Sequence, residues 1–219
     1  MLTYNDVKNN EEMRTYIKYA DESLIALGYT DHSFAHITQT AESARYILET
    51  LGYDEREVEL AQIAGFLHDI GNLVNRVDHS QSGAVMAFVL LRGMGASPKD
   101  IATITAAIGN HDEGTGVAVN PVAAALIIAD KSDVRRSRVR TKDTSIFDIH
   151  DRVNYAVENA LLQINDEHTI IKLQLTIDTR YCSLMDYFEI FLKRMTMCRK
   201  AAETLGLAFE LIINGQQLL

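Results

Sequence analysis

Two potential metal ligands, His68 and Asp69, stand side by side at the end of an apolar stretch that favours a helix, residues 61–71. A buried charge is costly unless it is paired or bound to a metal. Imidazole nitrogen and carboxylate oxygen together suit divalent transition-metal ions. We therefore expect this pair to belong to a metal site whose other ligands come from elsewhere in the chain.

Further residues of the same chemical types lie near the ends of other predicted helices. His36 lies early in the second helix, His79 begins the fourth, and His111-Asp112 follows the fifth. Asp130 lies at the end of an apolar sixth helix. Helix ends in a bundle can converge on one pocket, as metal sites in helical proteins do. These residues could therefore share one site, with Asp112 either beside it or in a solvated loop.

The elements that position these residues are predicted to be mostly helices. Apolar residues repeat with a helical period over residues 31–51, and Gly28 and Gly52 mark two helix ends. Pro98 and Pro121 each fit the first turn of a helix. The first four predicted helices cover residues 9–27, 31–51, 54–69 and 79–91. Two more begin near residues 98 and 121, and the last covers residues 146–164.

The C-terminal part changes character. Residues 171–177 and 207–213 alternate apolar and polar side chains, which is the period of a strand. Residues 182–205 between them read as an amphipathic helix. We therefore predict a strand-helix-strand unit. Two strands alone are marginally stable. The helix is expected to cover them; strand pairing between two copies, giving a homodimer, is the alternative.

The overall composition is that of an ordinary globular protein. The 219 residues are 47% hydrophobic and 23% charged, enough for one large domain or a domain with a small appendage. We predict a mostly α fold, with a helical domain over residues 1–160 and a small α+β extension over residues 161–219.

Composition also bears on the cellular location and on the classes of binding partner that we expect. The net charge of −9 disfavours general attraction to polyanions. Cys182 and Cys198 lie too far apart on one predicted helix to bridge each other, so both are expected to be reduced thiols. Residues 1–6 lack a signal-peptide pattern, and no apolar run approaches a membrane span. A cytoplasmic location and no membrane partner are expected.

The order of these residues carries a family resemblance. His36, His68-Asp69 and Asp130 resemble the H…HD…D signature of the HD-domain metal-dependent phosphohydrolases. The resemblance covers about residues 25–145, and the contexts 67–71 and 128–131 make it more specific than an isolated HD pair. It implies an HD-type helical bundle.

The resemblance also implies a ligand set. It assigns one divalent metal to four residues: His36, His68, Asp69 and Asp130. In relatives with extra histidines a second metal is held, here by His79 and His111 with Asp69 bridging, although both histidines could be ordinary helix-end residues. The mixed ligands favour Mn, Fe, Co, Ni or Zn, and Mg is also allowed.

Three differences from related HD-domain enzymes narrow the range of activities that we expect. Cyclic-dinucleotide phosphodiesterases of the superfamily usually carry a lysine where this chain has Asn72, and a double histidine where it has His111-Asp112. Guanosine-tetraphosphate hydrolases place an acidic pair shortly after the HD motif, whereas residues 73–75 contain none. The sequence therefore disfavours both activities.

The predicted chemistry also needs cations. A metal lowers the pKa of bound water, so that hydroxide can attack a phosphate ester, and cationic donors stabilise the charge that develops. The basic run 135–142 follows Asp130, and either contacts phosphate or is a solvated loop. We predict catalytic roles for His68, Asp69, Lys131 and Arg135.

These observations favour a metal-dependent phosphohydrolase, a phosphatase or phosphodiesterase, that acts on a small phosphorylated substrate such as a nucleotide. RNA is less favoured, because affinity for a long polyanion grows with the number of phosphate contacts. The alternative is a nucleotide- or RNA-sensing module that keeps the metal site but has little turnover. The apparently complete ligand set favours the enzyme.

Overall fold

A computed structural model describes residues 1–141 and 143–219; Lys142, from the predicted basic run, lies outside the described residues. The α-helices are α1 (Tyr4–Lys8), α2 (Glu11–Ala26), α3 (Phe34–Thr50), α4 (Glu55–Leu67), α5 (His79–Gly93), α6 (Pro98–Gly109), α7 (Pro121–Ser132), α8 (Ile149–Ala156) and α9 (Leu184–Thr204). The strands are β1 (Val157–Ile164), β2 (Ile170–Ile177), β3 (Ala208–Ile213) and β4 (Gln216–Gln217).

Side-chain caps determine where several helices begin. Ser33 caps α3, and Asp54 caps α4 by accepting hydrogen bonds from two backbone N–H groups. Asn120 caps α7 directly before Pro121, whose missing N–H costs nothing in the first turn. Because the caps and prolines are local signals, the predicted bounds of these helices lie close to the observed ones.

Helix α7 lies in the centre of the helical part. All of its residues from Val122 to Ser132 are buried, and it packs against α3, α4 and α6. Helix α9 from the C-terminal part also packs against α7, and its buried Phe191, Met195 and Cys198 belong to the same apolar cluster. Burial on all sides explains why α7 reads as an almost uninterrupted apolar run.

Within the described residues the four strands form one sheet in the order β1-β2-β3-β4. Strand β2 pairs antiparallel with β1 and parallel with β3, and α9 is the crossover between the parallel pair. Leu173 and Leu211 are register partners and both are buried. The predicted strand-helix-strand unit is present, and β1 and β4 extend its sheet. The predicted fold class, mostly helical with a small α+β C-terminal part, is confirmed.

The prediction of one helix over residues 146–164 is wrong for its second half. Helix α8 ends at Ala156, and residues 157–164 form β1 instead. Asn165 closes the hairpin, because its side chain accepts hydrogen bonds from the backbone of Thr169 and Ile170. Strand pairing with β2 therefore overrides the local helical pattern.

The predicted domain boundary at residue 160 falls inside β1, and the division into two domains stays a prediction. Strand β1 lies at one edge of the sheet, so the homodimer formed by strand pairing also stays a prediction. Across residues 1–141 and 143–219, the helices are all too short or too polar to cross a membrane.

Candidate metal centre

The predicted ligands come from the ends of five helices, and the structure brings all six together. His36 lies in the first turn of α3, because Ser33 caps that helix. The other histidines lie at or just beyond helix ends, and Asp130 lies in the last turn of α7. The set is His36, His68, Asp69, His79, His111 and Asp130, and each is less than one-tenth exposed.

His36, His68 and Asp130 form the first of two ligand groups, whose potential ligand atoms all lie within 4.8 Å of one another. Nε2 of His36 lies 3.3 Å from Oδ1 of Asp130 and 3.6 Å from Oδ2 of Asp69. Nε2 of His68 lies 3.2 Å from that Asp69 oxygen and 3.6 Å from that Asp130 oxygen. Bonds of about 2.1 Å to a tetrahedral ion separate its ligand atoms by about 3.4 Å, so the spacing fits one divalent metal.

The second group adds His111 and His79 around Asp69. Ligand atoms of His68, Asp69 and His111 again lie within 4.8 Å of one another. Nε2 of His79 lies 3.2 Å from Nε2 of His111 and 3.5 Å from Oδ1 of Asp69. Oδ2 of Asp69 faces the first group, while Oδ1 faces His79. This carboxylate is therefore placed where it could bridge two ions.

Hydrogen bonds that Nδ1 donates fix the tautomers of three of these histidines. Nδ1 of His68 lies 2.8 Å from the Gly65 carbonyl, and Nδ1 of His111 lies 2.6 Å from the Ile108 carbonyl. Nδ1 of His79 contacts the Arg76 carbonyl at 3.1 Å. A carbonyl can only accept, so each Nδ1 carries a proton, and Nε2 is the ring nitrogen that each histidine directs toward the site.

Three buried polar atoms of the site have no hydrogen-bond partner in the part of the protein that the structure describes. Among the described residues, Nε2 of His36, Nε2 of His68 and Oδ2 of Asp69 are buried without a hydrogen-bond partner. The facing Nε2 lone pairs of His79 and His111 repel each other at 3.2 Å. Such buried groups are costly unless a cation occupies the space between them. The residues present fit a metal ion on this observation.

Electrostatics favour a cation at the same place. Although burial opposes it, the carboxylates of Asp69 and Asp130 raise the pKa of His68 to about 10. Burial holds the pKa of His111 well below its ordinary value, and burial also lowers the pKa of His79. Neutral imidazoles are the form that binds metals, so His79 and His111 need not lose a proton to do so.

Sequence reasoning missed Asp133, which orients His36. Oδ2 of Asp133 accepts a hydrogen bond of 2.7 Å from Nδ1 of His36, and both residues are buried. Although burial opposes it, the hydrogen bond from His36 and the charge of Arg138 lower the pKa of Asp133. A carboxylate behind a metal-binding histidine fixes its ring and increases its basicity. No local sequence pattern links Asp133 to His36, so only the structure reveals this contact.

The structure places Lys131, a predicted catalytic residue, in a buried ion-pair network. Its Nζ lies 2.7 Å from Oδ2 of Asp130 and 3.3 Å from Oε1 of Glu113. Nε of Arg194 lies 2.7 Å from the same Glu113 oxygen. Because the other oxygen of Asp130 faces the histidines, Lys131 orients the carboxylate rather than entering the metal-facing space. Its catalytic role stays a prediction.

Arg135, the other predicted catalytic cation, lies behind the ligands. Its Nε donates a hydrogen bond of 2.7 Å to Asp133. It lines a separate groove of about 500 Å³ between α3 and β1. The further arginines of the basic run bind backbone carbonyls: Arg136 that of Tyr155, Arg138 those of Asp31 and Asp133, and Arg140 that of Tyr29. These contacts tie the loop to the protein body, and a phosphate role for the run stays a prediction.

A cavity of about 330 Å³ is lined by none of the six candidate ligands, but two of its wall residues lie close to them. His32 and Arg76 in its wall connect it to the centre. The His32 ring lies 5.6 Å from the His36 ring, and Nη1 of Arg76 lies 3.8 Å from Oδ1 of Asp69. Its lining includes three arginines, two histidines and two aspartates, namely Arg76, Arg138, Arg194, His32, His150, Asp148 and Asp151.

Two other sequence expectations concern residues at the edge of this region. Oδ1 of Asp112 lies 3.9 Å from Nε2 of His79, and its side chain is 30% exposed. The amide of Asn72, where cyclic-dinucleotide phosphodiesterases of the superfamily usually carry a lysine, donates a 2.9 Å hydrogen bond to Oδ1 of Asp69. Asn72 therefore holds the Asp69 carboxylate and accepts a hydrogen bond from Arg76.

Close backbone packing at Gly71 brings two of the elements together. A short 3-10 helix, Ile70–Leu73, follows the HD pair and packs against α5. A side chain at Gly71 would overlap the backbone carbonyl of His79 and the amide of Gly83. Only glycine permits this approach, which brings His79 to Asp69.

Comparisons with known proteins give one matching family and two similar proteins. The HD domain family matches residues 33–154 of this chain. An uncharacterized protein of Methanocaldococcus jannaschii is 24% identical over 193 residues, covering 77% of this chain and 74% of that protein. The crystal structure of a predicted HD superfamily hydrolase from an uncultured Thermotogales bacterium is 28% identical, with a TM-score of 0.44 over 57% of this chain and 67% of that chain.

The family match covers more than half of the chain and contains all six clustered ligands. It ends at residue 154, so the sheet and α9 lie beyond it. The family and the histidine-aspartate clusters together support a metal-dependent hydrolase. The chain belongs to the HD domain family.

Proposed function

We propose that this protein is a metal-dependent phosphohydrolase, a phosphatase or phosphodiesterase, that cleaves a phosphate ester or anhydride bond of a small compound. One observation carries the proposal. Histidine and aspartate side chains from five helix ends surround a buried space, and three of their facing atoms, Nε2 of His36, Nε2 of His68 and Oδ2 of Asp69, have no hydrogen-bond partner among the described residues. Such a space has no structural purpose without a cation.

The first ion would be held by His36, His68, Asp69 and Asp130, and a second by His79, His111 and Asp69. Nitrogen and oxygen ligands together favour Mn, Fe, Co, Ni or Zn, and Mg is allowed. A bound divalent metal would lower the pKa of a water molecule toward neutrality and polarise a phosphoryl oxygen.

The protein's own side chains would supply orientation and charge. Asp133 holds the His36 ring through Nδ1, and Lys131 holds Asp130 through Oδ2. Asn72 holds the remaining oxygen of Asp69. Preorganised ligands need not rearrange during the reaction, which is how a fixed site stabilises developing charge.

The cavity beside the centre supports a small substrate. Its volume of about 330 Å³ lies at the lower end of the range for small-molecule pockets. Asp148 and Asp151 in its wall and the net charge of −9 disfavour a long polyanion such as RNA. A mononucleotide or a compound of similar size fits these limits, and a nucleotide is our proposed substrate class.

The sensing module remains the second candidate from the sequence, but its basic loop no longer favours it. Arg136, Arg138 and Arg140 each bind backbone carbonyls of the same chain. The loop therefore offers few free donors to an RNA or a nucleotide. The test below separates the two functions, because a sensor would bind a nucleotide and return it intact.

Phosphate release from a nucleotide panel tests the proposal. The protein is loaded with Mn²⁺, and wild type is compared with Asp69→Asn and with Asp100→Asn, a buried, ion-paired aspartate distant in the fold. We expect turnover by wild type and Asp100→Asn, and a loss of more than about 100-fold for Asp69→Asn, beyond the effect of losing an outer partner. No hydrolysis by metal-loaded wild type across the panel would refute the proposal.

A further inference from the structure

Helix α9 contributes to the cavity although it lies outside the segment that matches the family. Phe191 and Arg194 from α9 line the cavity together with Arg76, which lies between the HD pair and α5. The family match ends at residue 154. The wall formed by α9 is therefore a feature of this chain's C-terminal part.

Arg194 is held in place from one side only. Its Nε lies 2.7 Å from Oε1 of Glu113, and its guanidinium lies over the Phe191 ring at 4.8 Å. Among the described residues, Oε1 of Glu113 accepts no hydrogen bond, so Glu113 holds Nε of Arg194 through an ion pair, and the Arg194 side chain is 23% exposed. A planar guanidinium held at Nε can still direct two parallel donors toward an oxyanion.

Arg76 has spare donors too, whereas Arg138 does not. Nη1 of Arg76 donates to Oδ1 of Asn72 at 3.2 Å and lies 3.8 Å from Oδ1 of Asp69. Arg138 is buried and donates three hydrogen bonds to the carbonyls of Asp31 and Asp133. Two of the three arginines of the cavity can therefore receive a ligand.

We propose that α9 completes the substrate pocket, and that Arg194 and Arg76 bind the oxygens of the substrate's phosphate group. The ligand class is a small phosphorylated compound with a phosphate that reaches both guanidinium groups. This proposal rests on the proposed function only in that the bound phosphate group is then the one that is hydrolysed. Phosphate binding itself needs no turnover.

Binding of inorganic phosphate to the Mn²⁺-loaded full chain, measured by titration calorimetry, tests this proposal. We expect Arg194→Ala and Arg76→Ala each to weaken binding by about 10–100-fold, since each removes a charge-assisted hydrogen bond. The matched control is Arg199→Ala, which removes one positive charge from an exposed position of the same helix. It should bind phosphate within about twofold of wild type, with equal Mn content in all variants.

Two further variants separate direct contact from structural loss. Arg194→Lys keeps the charge but loses the fork, and should bind phosphate with intermediate affinity. Glu113→Gln breaks the anchor of Arg194 but keeps its terminal donors, so it should weaken binding less than Arg194→Ala does. Equal losses for Glu113→Gln and Arg194→Ala would overturn the direct contact, as would an Arg194→Ala protein that binds like the control.

The outcomes also separate this proposal from the proposed function. If wild type hydrolyses no nucleotide but binds phosphate in an Arg194-dependent way, the proposed phosphohydrolase function is refuted and the proposed phosphate pocket is supported. If wild type shows turnover but Arg194→Ala leaves KM and phosphate binding unchanged, the pocket assignment fails and the phosphohydrolase stands.

Discussion

The carboxylate of Asp133 provides the sharpest test of the metal centre, because it touches no proposed ion. Oδ2 of Asp133 accepts a 2.7 Å hydrogen bond from Nδ1 of His36, whose Nε2 faces the ligand group. Asp133→Asn keeps the size of the side chain but removes the charge. The amide can still accept through its oxygen, so the ring is not displaced outright.

The expected magnitude follows from two independent estimates. A hydrogen bond to a charged group contributes about 1.5–3 kcal/mol. Loss of the outer partner of a metal-binding histidine typically costs about 10–100-fold in affinity, or about 1.4–2.8 kcal/mol. We therefore expect Asp133→Asn to weaken metal binding by about 10–100-fold.

Titration of the metal-free protein with Mn²⁺ or Zn²⁺ at fixed pH measures this effect. Asp133 is also paired with the buried Arg138, so the variant should lose stability as well. Asp100→Asn is the matched control, because Asp100 is buried and paired with Arg56 at 2.9 Å, away from the ligands. It should lose stability and keep its metal affinity. A metal Kd for Asp133→Asn within about twofold of wild type would refute the reasoning.

Three further predictions test packing, acid stability and thiol chemistry. Gly71→Ala should lower stability by about 1–3 kcal/mol, because its methyl group would overlap the backbone of His79 and of Gly83; Gly93→Ala, with open space around it, should be neutral in the same thermal or denaturant unfolding experiment. Although burial opposes it, two neighbouring cations lower the pKa of Glu113 to about 2, below its ordinary value of 4.5, so its contribution is present above pH 4.5 and is lost as the pH falls toward 2. The stability difference between wild type and Glu113→Gln, measured by denaturant unfolding, should shrink over that range, and a constant difference would contradict it. Burial raises the pKa of Cys182 to about 11 and that of Cys198 to about 12, so a thiol reagent at pH 8 should label neither until the protein unfolds, and rapid labelling of the native protein would show that the thiols are accessible.

The narrow chemistry that a metal site requires made the candidate ligands recognisable in the sequence. Only a few residue types bind divalent ions, and His36, His68-Asp69 and Asp130 follow one another in a recognisable order. The helix ends that carry them have local signals as well, such as Ser33 before α3 and Asn120 before α7. Position and chemistry could therefore be inferred together, and the structure brings these residues into one site.

Residues that act through distant neighbours could not be found in this way. Asp133 and His36 are 97 positions apart, and no local pattern links them. Arg194 belongs to an amphipathic helix in which it reads as one more surface charge. Residues 157–164 continue the helical pattern of α8 when read by themselves, and only their pairing with β2 makes them a strand.

The packing of α9 against α7 also has a consequence for the order in which the protein matures during synthesis. Helix α7 carries Asp130, and one of its faces is covered by residues 184–204. The ribosome delivers those residues after every proposed ligand has emerged. Until α9 docks, the apolar side of α7 stays open to water and the Glu113–Lys131 pair lacks Arg194. We therefore expect stable loading of the proposed metal to follow the folding of the C-terminal helix onto α7.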